Sequence, residues 1–269
     1  MKNLQEQMLS ESDSEIIRWD IFQLWDHRLA CWDSQDKDLI KLLFWWNRYS
    51  LLLTDPPYGI NYVASKKWFV GSTEKHIDIQ NDWFVSDANY AEFTSKWLSV
   101  SFPYIEKANS IYIFNSDKML FALREWMNIA KVHFSQLLIW IKNSAIIGRL
   151  DYLPQHELIV YWWLWKHKFR GSQSKSILTY AKTKKNNLHP TMKPIWLLRE
   201  LILNSSNIWD VIFDPFSWSG STLIACEQTA RKCITIEIDP IYCSRIIKRW
   251  ETLTWKTAIK VNSHWHEKQ

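Results

Sequence analysis

Residues 211–222 read Val211-Ile212-Phe213-Asp214-Pro215-Phe216-Ser217-Trp218-Ser219-Gly220-Ser221-Thr222. The apolar start predicts a buried strand, and the loop after it is followed by a helix predicted from Ser221. The next strand is predicted over 233–238 and carries Glu237 near its end. An acidic residue about 20 positions beyond such a loop binds ribose hydroxyls in doubly wound α/β folds. The pattern therefore indicates a nucleotide-like cofactor. The alternative is an ordinary strand-loop-helix with an N-cap at Ser219 or Ser221.

A second predicted strand ends in a stiff acidic loop. Residues 50–54, Ser-Leu-Leu-Leu-Thr, predict a buried parallel strand that stops at Asp55-Pro56-Pro57-Tyr58. The two prolines fix the backbone where open α/β sheets bind ligands. Asp55 and the carbonyl of Pro56 can accept hydrogen bonds from an amino group on a base, and Tyr58 can stack on the ring. The alternative is a plain turn, because Asp before proline favours turns.

Strands and helices alternate along most of the chain. Short apolar runs within 16–33 indicate a hairpin. Further strands are predicted over 110–114, 136–141 and 157–162, and helices over 39–44, 91–105, 120–129, 194–204 and 242–253. This alternation predicts an α/β fold with a doubly wound, mostly parallel sheet. We expect one domain over 16–260, with a small recognition insertion at about 164–188 and mobile tails at 1–15 and 261–269.

Composition and charge are those of a globular protein that can bind a polyanion. The 269 residues are 47% hydrophobic and 23% charged, with a net charge of +5 and a pI of about 8.9. No signal peptide or membrane span is predicted, so we expect a cytoplasmic protein. The four cysteines lack CxxC spacing, which favours reduced thiols over disulfides. We expect no metal site, and we interpret His264 and His266 as part of a polar tail.

Together the two loops resemble those of the amino-group DNA methyltransferases. That family has a cofactor loop of the type Asp-Pro-Phe-x-Gly-Ser-Gly and a catalytic Asp-Pro-Pro-Tyr. A third family motif, His189-Pro190-Thr191-Met192-Lys193-Pro194, stands between the two. The order of catalytic motif, recognition segment and cofactor loop is that of β-class enzymes, particularly those of phage and prophage genomes. The resemblance extends over about 17–257 and includes shorter matches at 138–144, 155–157 and 237–243.

The resemblance implies a Rossmann-like fold, S-adenosylmethionine as cofactor, and direct in-line methyl transfer to N6 of adenine in DNA. Catalysis would rest on Asp55, Pro56, Pro57 and Tyr58. N4 of cytosine as the acceptor, and a non-catalytic DNA-binding relative, are the alternatives. The cofactor-binding residues implied by the resemblance are Asp33, Thr191, Lys193, Asp214, Phe216, Ser219, Gly220 and Glu237.

A basic stretch at 166–185 lies where β-class enzymes carry their target-recognition segment. The resemblance implies that Lys166, Lys168, Arg170 and Lys175 contact DNA phosphates. A solvated charged loop is the alternative on composition alone. The expected partner is double-stranded DNA, and the resemblance adds a homodimer and a cognate restriction nuclease as expectations.

Tryptophan is abundant where glycine is expected. The chain has 19 tryptophans and 5 glycines, whereas glycine usage of ~7% would give roughly 19 glycines. We hypothesise that the gene comes from a host or phage that reads UGA as glycine; the alternative is a genuinely tryptophan-rich protein. The positions that suit glycine are Trp19, Trp25, Trp32, Trp45, Trp46, Trp68, Trp83, Trp126, Trp162, Trp165, Trp209, Trp218 and Trp255.

Overall fold

The computed structural model describes residues 16–45, 47–58, 86–145, 151–171, 173–182 and 192–261. The predicted tail at 1–15, and all but the first residue of the predicted tail at 261–269, lie outside these residues. The strands are β1 (Ile21–Leu24), β2 (His27–Cys31), β3 (Tyr49–Thr54), β4 (Ile105–Asn115), β5 (Gln136–Ile141), β6 (His156–Trp162), β7 (Lys166–His167), β8 (Ile177–Thr179), β9 (Val211–Asp214), β10 (Lys232–Glu237) and β11 (Ile259–Lys260). The helices are α1 (Lys37–Leu43), α2 (Asp87–Ser101), α3 (Leu120–Ile129), α4 (Ile195–Ser205), α5 (Ser221–Thr229) and α6 (Pro240–Thr254), with a 3-10 turn at Phe102–Tyr104.

The strands form one sheet in the order β11-β1-β2-β10-β9-β3-β4-β6-β5-β8, and β7 pairs with β4 alone. From β2 to β4 all neighbouring strands are parallel, whereas β6 is antiparallel to both β4 and β5. The hairpin expected within 16–33 is the antiparallel pair β1–β2. The mostly parallel α/β sheet predicted from the sequence is thus confirmed.

Alternation along the central strands builds a core on each face of the sheet. In β3, Leu51 and Leu53 belong to the core that contains α4, α5 and α6, whereas Leu52 belongs to the core that contains α1, α2 and α3. Neighbouring strand residues point to opposite faces, so an unbroken apolar run is what a strand covered by helices on both sides requires. The sheet is therefore doubly wound, as predicted.

The connections that follow the two central strands, β9 and β3, run in opposite directions along the sheet. From β9 the chain passes through α5 to β10 on one side, and from β3 it passes through α2 to β4 on the other. Because β3 and β9 are adjacent and parallel, their carboxyl ends flank a topological switch point. Open α/β sheets bind ligands in the crevice at such a point. The two loops identified in the sequence begin at these two strand ends.

The predicted elements differ from the observed ones mainly at their ends. Helix α2 begins four residues before the predicted start, because the Ser86 side chain accepts a hydrogen bond from the Asn89 N–H and caps it. Strand β4 begins at Ile105, within the predicted helix. The described part of the 164–188 insertion contributes β7 and β8 to the sheet. No helix of the described residues is long and apolar enough to cross a membrane. All four cysteines are buried free thiols.

Candidate active site

Asp214 joins the two strand ends at the switch point. Its Oδ1 accepts hydrogen bonds from the Thr54 hydroxyl at 2.8 Å and from the Phe216 N–H at 3.2 Å. The carboxyl group is 2% exposed, and this burial raises its pKa to about 7, although hydrogen bonds from Thr222 and Thr54 act in the opposite direction. The last residue of β9 is thereby fixed to the last residue of β3, directly before the Asp55 loop.

Gly220 closes the loop in a conformation that suits glycine. Its φ is +72°, and a Cβ built on it would lie 2.9 Å from Ile246 Cγ2 of α6. Helix α5 begins at the next residue, which leaves its first backbone N–H groups at the loop. The loop is held from outside by Arg249, whose guanidinium donates to the Ser219 carbonyl at 2.7 Å. These contacts explain why a glycine stands here in a chain that has so few.

An open cavity lies beside the end of β10. Glu237 lines it and is 6% exposed. Its Oε1 accepts from the Asp239 N–H at 3.1 Å and its Oε2 from the Trp218 N–H at 2.7 Å. Burial raises the pKa of Glu237 to about 8, despite these two hydrogen bonds. The other lining residues are Trp32, Asp33, Ser34, Pro57, Phe93, Pro215, Phe216, Trp218, Ile236, Ile238, Asp239 and Tyr242.

A second cavity lies between the Asp55 loop and the start of α5. Phe216 and Trp218 line both cavities, so the two share a wall. Of the residues predicted to bind a cofactor, the structure places Asp33 and Glu237 at the first cavity and Lys193, Asp214 and Ser219 at the second. Thr191 lies outside the described residues. The predicted site is therefore brought together in two adjoining halves.

Trp218 forms much of the wall between the halves. Its φ is 51°, and its indole N–H donates to the Asp55 carbonyl at 2.5 Å. Its backbone N–H also donates to Glu237 at the end of β10, so Trp218 connects the segments that follow β3, β9 and β10. The bulky ring stands where the backbone of a ligand-binding loop has to approach its ligand closely, a place that favours glycine.

Asp55 is held through both carboxylate oxygens. The Tyr58 hydroxyl donates to Oδ1 at 2.5 Å, and the Lys193 ammonium lies 2.6 Å from Oδ2. Burial raises the pKa of Asp55, Lys193 lowers it and Glu157 raises it, with a net upward result. Burial alone would lower the pKa of Lys193, but the carboxylates of Asp55 and Glu157 outweigh it and raise that pKa. The Asp55 side chain is 17% exposed, so its carboxyl group is a partly buried hydrogen-bond acceptor of raised pKa.

Sequence reasoning missed Glu157 and Lys142. Glu157 Oε2 lies 3.0 Å from the Lys193 ammonium, and Lys142 lies 2.7 Å from Glu157 Oε1. Both stand in short stretches that match the family, at 155–157 and 138–144, yet no role was predicted for either. The sequence did carry a signal for them, because Lys142 directly follows one predicted strand and Glu157 lies in the next, and both stretches match the family. The sheet brings them together because β5 and β6 pair Ile141 with His156.

The four predicted DNA-binding residues are not brought together with Asp55. Lys166 pairs with Ala108 near the start of β4, seven residues and thus about 23 Å from the carboxyl end of that strand. Lys168 is neutralised by Asp210, 2.7 Å away and just before β9. The Arg170 N–H donates to the Asn204 carbonyl near the end of α4, and Lys175 precedes β8. Lys166, Lys168 and Arg170 therefore lie toward the amino-terminal side of the sheet. Lys175 lies two residues before Ile177, which strand pairing sets level with Asn115 at the carboxyl end of β4.

The fold and the two cavities define a Rossmann-like α/β protein whose candidate ligand site lies at the switch point of the sheet. Residues 49–249 match the model of a protein family described as DNA methylase, which is named for N6 and N4 methyltransferases. The chain therefore belongs to this DNA methylase family.

Its relatives include type II DNA methyltransferases. The chain is 24% identical over 231 residues to M.HpaI of Haemophilus parainfluenzae, which covers 77% of this chain and 69% of the relative. It is 25% identical over 224 residues to M2.DpnII of Streptococcus pneumoniae, and this match covers 75% of the chain and 82% of the relative. A shorter match, 39% over 70 residues, covers 26% of the chain and 24% of the DNA adenine methyltransferase YhdJ of Escherichia coli K12.

Solved structures of other proteins share the fold. The M1.HpyAVI complex with S-adenosylmethionine superposes with a TM-score of 0.59 at 21% identity, covering 82% of this chain and 98% of that one. The cytosine-N4-specific PvuII methyltransferase superposes with a TM-score of 0.59 at 16% identity, covering 81% and 86%.

Proposed function

We propose that the chain transfers a methyl group from S-adenosylmethionine to N6 of adenine in double-stranded DNA. The observation that carries this proposal is the shared wall of the two cavities, which places the Asp55 carboxylate beside the Asp214 loop at one switch point. A residue that accepts an amino N–H and a loop that can hold a nucleotide-like cofactor are thus neighbours. The adenine assignment is supported by Asp55 and by the match to a relative named as a DNA adenine methyltransferase.

The residues present fit S-adenosylmethionine. Glu237 offers a buried carboxylate to ribose hydroxyls, and Asp33 lies in the same cavity toward the adenine end. Asp214, Ser219 and Lys193 border the second cavity, which suits the charged methionine end. When bound, the cofactor supplies a methyl group that its sulfonium has already activated, so no metal is needed in this proposal.

Asp55 and its loop act on the base. Oδ1 of Asp55 and the Pro56 carbonyl accept the two N–H groups, which localises the nitrogen lone pair for attack. Tyr58 leaves its hydrogen bond with Oδ1 and stacks on the extruded base. Pro56 and Pro57 are both buried, and their fixed φ keeps this acceptor geometry rigid. The raised pKa of Asp55 suits it to take the proton that the methylated amine releases.

DNA reaches this site from the carboxyl-terminal edge of the sheet. Lys166, Lys168 and Arg170 lie toward the other side, so we leave them out of the base-recognition surface. Lys175 is exposed close to the carboxyl-terminal edge and stays a candidate for DNA contact. A cognate restriction nuclease is supported by the type II relatives alone, and a homodimer by the family resemblance alone.

We also propose that the active form carries glycine at the tryptophans with left-handed backbone. These are Trp19, Trp25, Trp165, Trp209, Trp218 and Trp255, all among the positions the sequence marks as suited to glycine. Among the described residues, the tryptophans we interpret as genuine have no positive φ: Trp97, Trp140, Trp163, Trp196 and Trp250. Four described positions predicted to suit glycine also have no positive φ and are left out of this proposal: Trp32, Trp45, Trp126 and Trp162. A bulky side chain at positive φ is strained. Gene sequencing tests this: UGA codons at these positions support it, and UGG codons contradict it.

The deciding experiment measures transfer of labelled methyl groups to unmethylated DNA, followed by nucleoside analysis. We expect N6-methyladenine, and an Asp55→Ala variant should lose activity by about 100-fold or more while still binding cofactor in calorimetry. N4-methylcytosine would instead support the alternative that the PvuII neighbour favours. DNA binding without cofactor binding, in both the chain as written and a Trp218→Gly variant, would point to a non-catalytic relative.

A further inference from the structure

Four charged side chains, two buried lysines and two partly buried carboxylates, form a chain of alternating sign that ends on Asp55. Lys142 lies 2.7 Å from Glu157, Glu157 lies 3.0 Å from Lys193, and Lys193 lies 2.6 Å from Asp55. The side chains of Lys142 and Lys193 are only 2% and 9% exposed. The four residues come from separate segments: the ends of β3 and β5, the start of β6, and the segment before α4.

The middle of this chain restrains the ammonium of Lys193. A buried ammonium ion is stable only when carboxylates compensate it, and Lys193 is divided between two. Lys142 holds Oε1 of Glu157, which leaves Oε2 to face Lys193. Without the pull of Glu157, Lys193 would be free to bridge both oxygens of Asp55, including the Oδ1 that the base amine requires.

We propose that Glu157 is a positioning residue: it holds Lys193 on Oδ2 of Asp55 and thereby reserves Oδ1 for the amino group of the base. The inference rests on the proposed function and deepens it. Tyr58 occupies Oδ1 in the structure through its hydroxyl, and this partner leaves when the ring stacks on the base. The ionisable groups that face Asp55 are Tyr58 from its own loop, Tyr90 from α2, Glu157 from β6, Lys193 before α4 and Asp214 from β9.

The kinetic test compares Glu157→Gln with Asp210→Asn. Asp210 is a matched control, because it also holds a lysine, Lys168 at 2.7 Å, but on the far side of the sheet. In single-turnover methyl transfer we expect Glu157→Gln to be slower by about 10-fold or more, since small displacements of reacting groups cost that much. Its affinity for S-adenosylmethionine should stay within about threefold, and Asp210→Asn should match the parent.

The pH profile separates positioning from general loss of structure. The charge of Glu157 raises the pKa of Asp55, so Glu157→Gln should move the acidic limb of the rate profile to lower pH. Glu157→Asp keeps the charge, so it should leave the acidic limb of the rate profile in place while still slowing methyl transfer. If Glu157→Gln does not fold, Glu157→Asp replaces it in the kinetic test. An unmoved limb in folded Glu157→Gln, or a rate equal to that of Asp210→Asn, overturns the proposal.

A second readout does not depend on turnover. Selective ¹³C labelling of aspartate carboxyl groups, with Asp55→Asn for assignment, follows the titration of Asp55 in the chain as written. We expect Asp55 to titrate at lower pH in Glu157→Gln than in the parent, and an identical titration overturns the positioning role. If neither the parent nor Trp218→Gly methylates DNA, the proposed function fails. The titration still tests the effect of Glu157 on Asp55, because it does not depend on methyl transfer.

Discussion

At the scale of single residues, Trp218 has the largest consequence. Its indole lies between the two cavities and donates to the Asp55 carbonyl. Trp218→Gly removes the ring, joins the cavities and relieves a positive φ. We expect the affinity for S-adenosylmethionine to rise by about 10-fold or more, which corresponds to about 1.4 kcal/mol. Isothermal titration calorimetry measures this directly.

Trp209→Gly is the matched control for Trp218→Gly. Trp209 also has a positive φ, of 68°, but it lies before the amino end of β9, away from both cavities. The same chemical change there should leave cofactor affinity within about twofold. Equal gains from the two substitutions would mean that relief of backbone strain, and not the opening of the cavity, improves binding.

At the scale of elements, the end of α6 tests whether a tryptophan with positive φ is strained, at a position outside the candidate active site. Trp255 ends this helix with φ 59° and is 93% exposed, so its ring contributes almost no packing. Trp255→Gly should raise the free energy of unfolding by about 0.5–1 kcal/mol, because glycine adopts the left-handed helix end without strain. Urea denaturation at neutral pH measures the change.

Trp196→Gly should have the opposite sign. Trp196 is 65% exposed in the first turn of α4, with ordinary helical backbone and the Arg199 guanidinium 4.4 Å from its ring. Glycine there should lower the free energy of unfolding by about 0.5–1 kcal/mol. If both substitutions destabilise the protein, the left-handed tryptophans are not strained positions, and the proposal of glycine in the active form loses its structural support.

The elements also show how far the sequence could predict the structure. The apolar runs of β3 and β9 predicted strands correctly, because burial on both faces leaves an unbroken apolar pattern. Strands β7 and β8 were not predicted, since two or three residues carry no period. The ion pair between Lys193 and Asp55 joins residues 138 positions apart. Motifs placed both near the site, but only the sheet order shows that they touch.

At the scale of the whole molecule, the site weakens the fold at high pH. Burial raises the pKa of Asp214 to about 7 and that of Glu237 to about 8, both from ordinary values near 4. The folded chain therefore binds protons more tightly than the unfolded chain. Stability contributed by these two groups is fully present below pH 4 and is lost as the pH rises through 7 and 8. Two buried acids thus make the ligand-free protein less stable under the conditions in which it would bind a cofactor.

Asp214→Asn should remove the Asp214 part of this dependence. Asn keeps an oxygen for the Thr54 hydroxyl and the Phe216 N–H, but it does not ionise. We expect parent and variant to have similar free energies of unfolding below pH 4, and the variant to be more stable at pH 9 by up to about 4 kcal/mol. Urea titrations across this pH range measure the difference. Asp117→Asn, at an exposed carboxylate, is the control and should leave the profile of the parent unchanged. A constant difference between Asp214→Asn and the parent from pH 4 to 9 would mean that Asp214 is not a buried acid of raised pKa, and that the loss of stability at high pH arises elsewhere in the molecule.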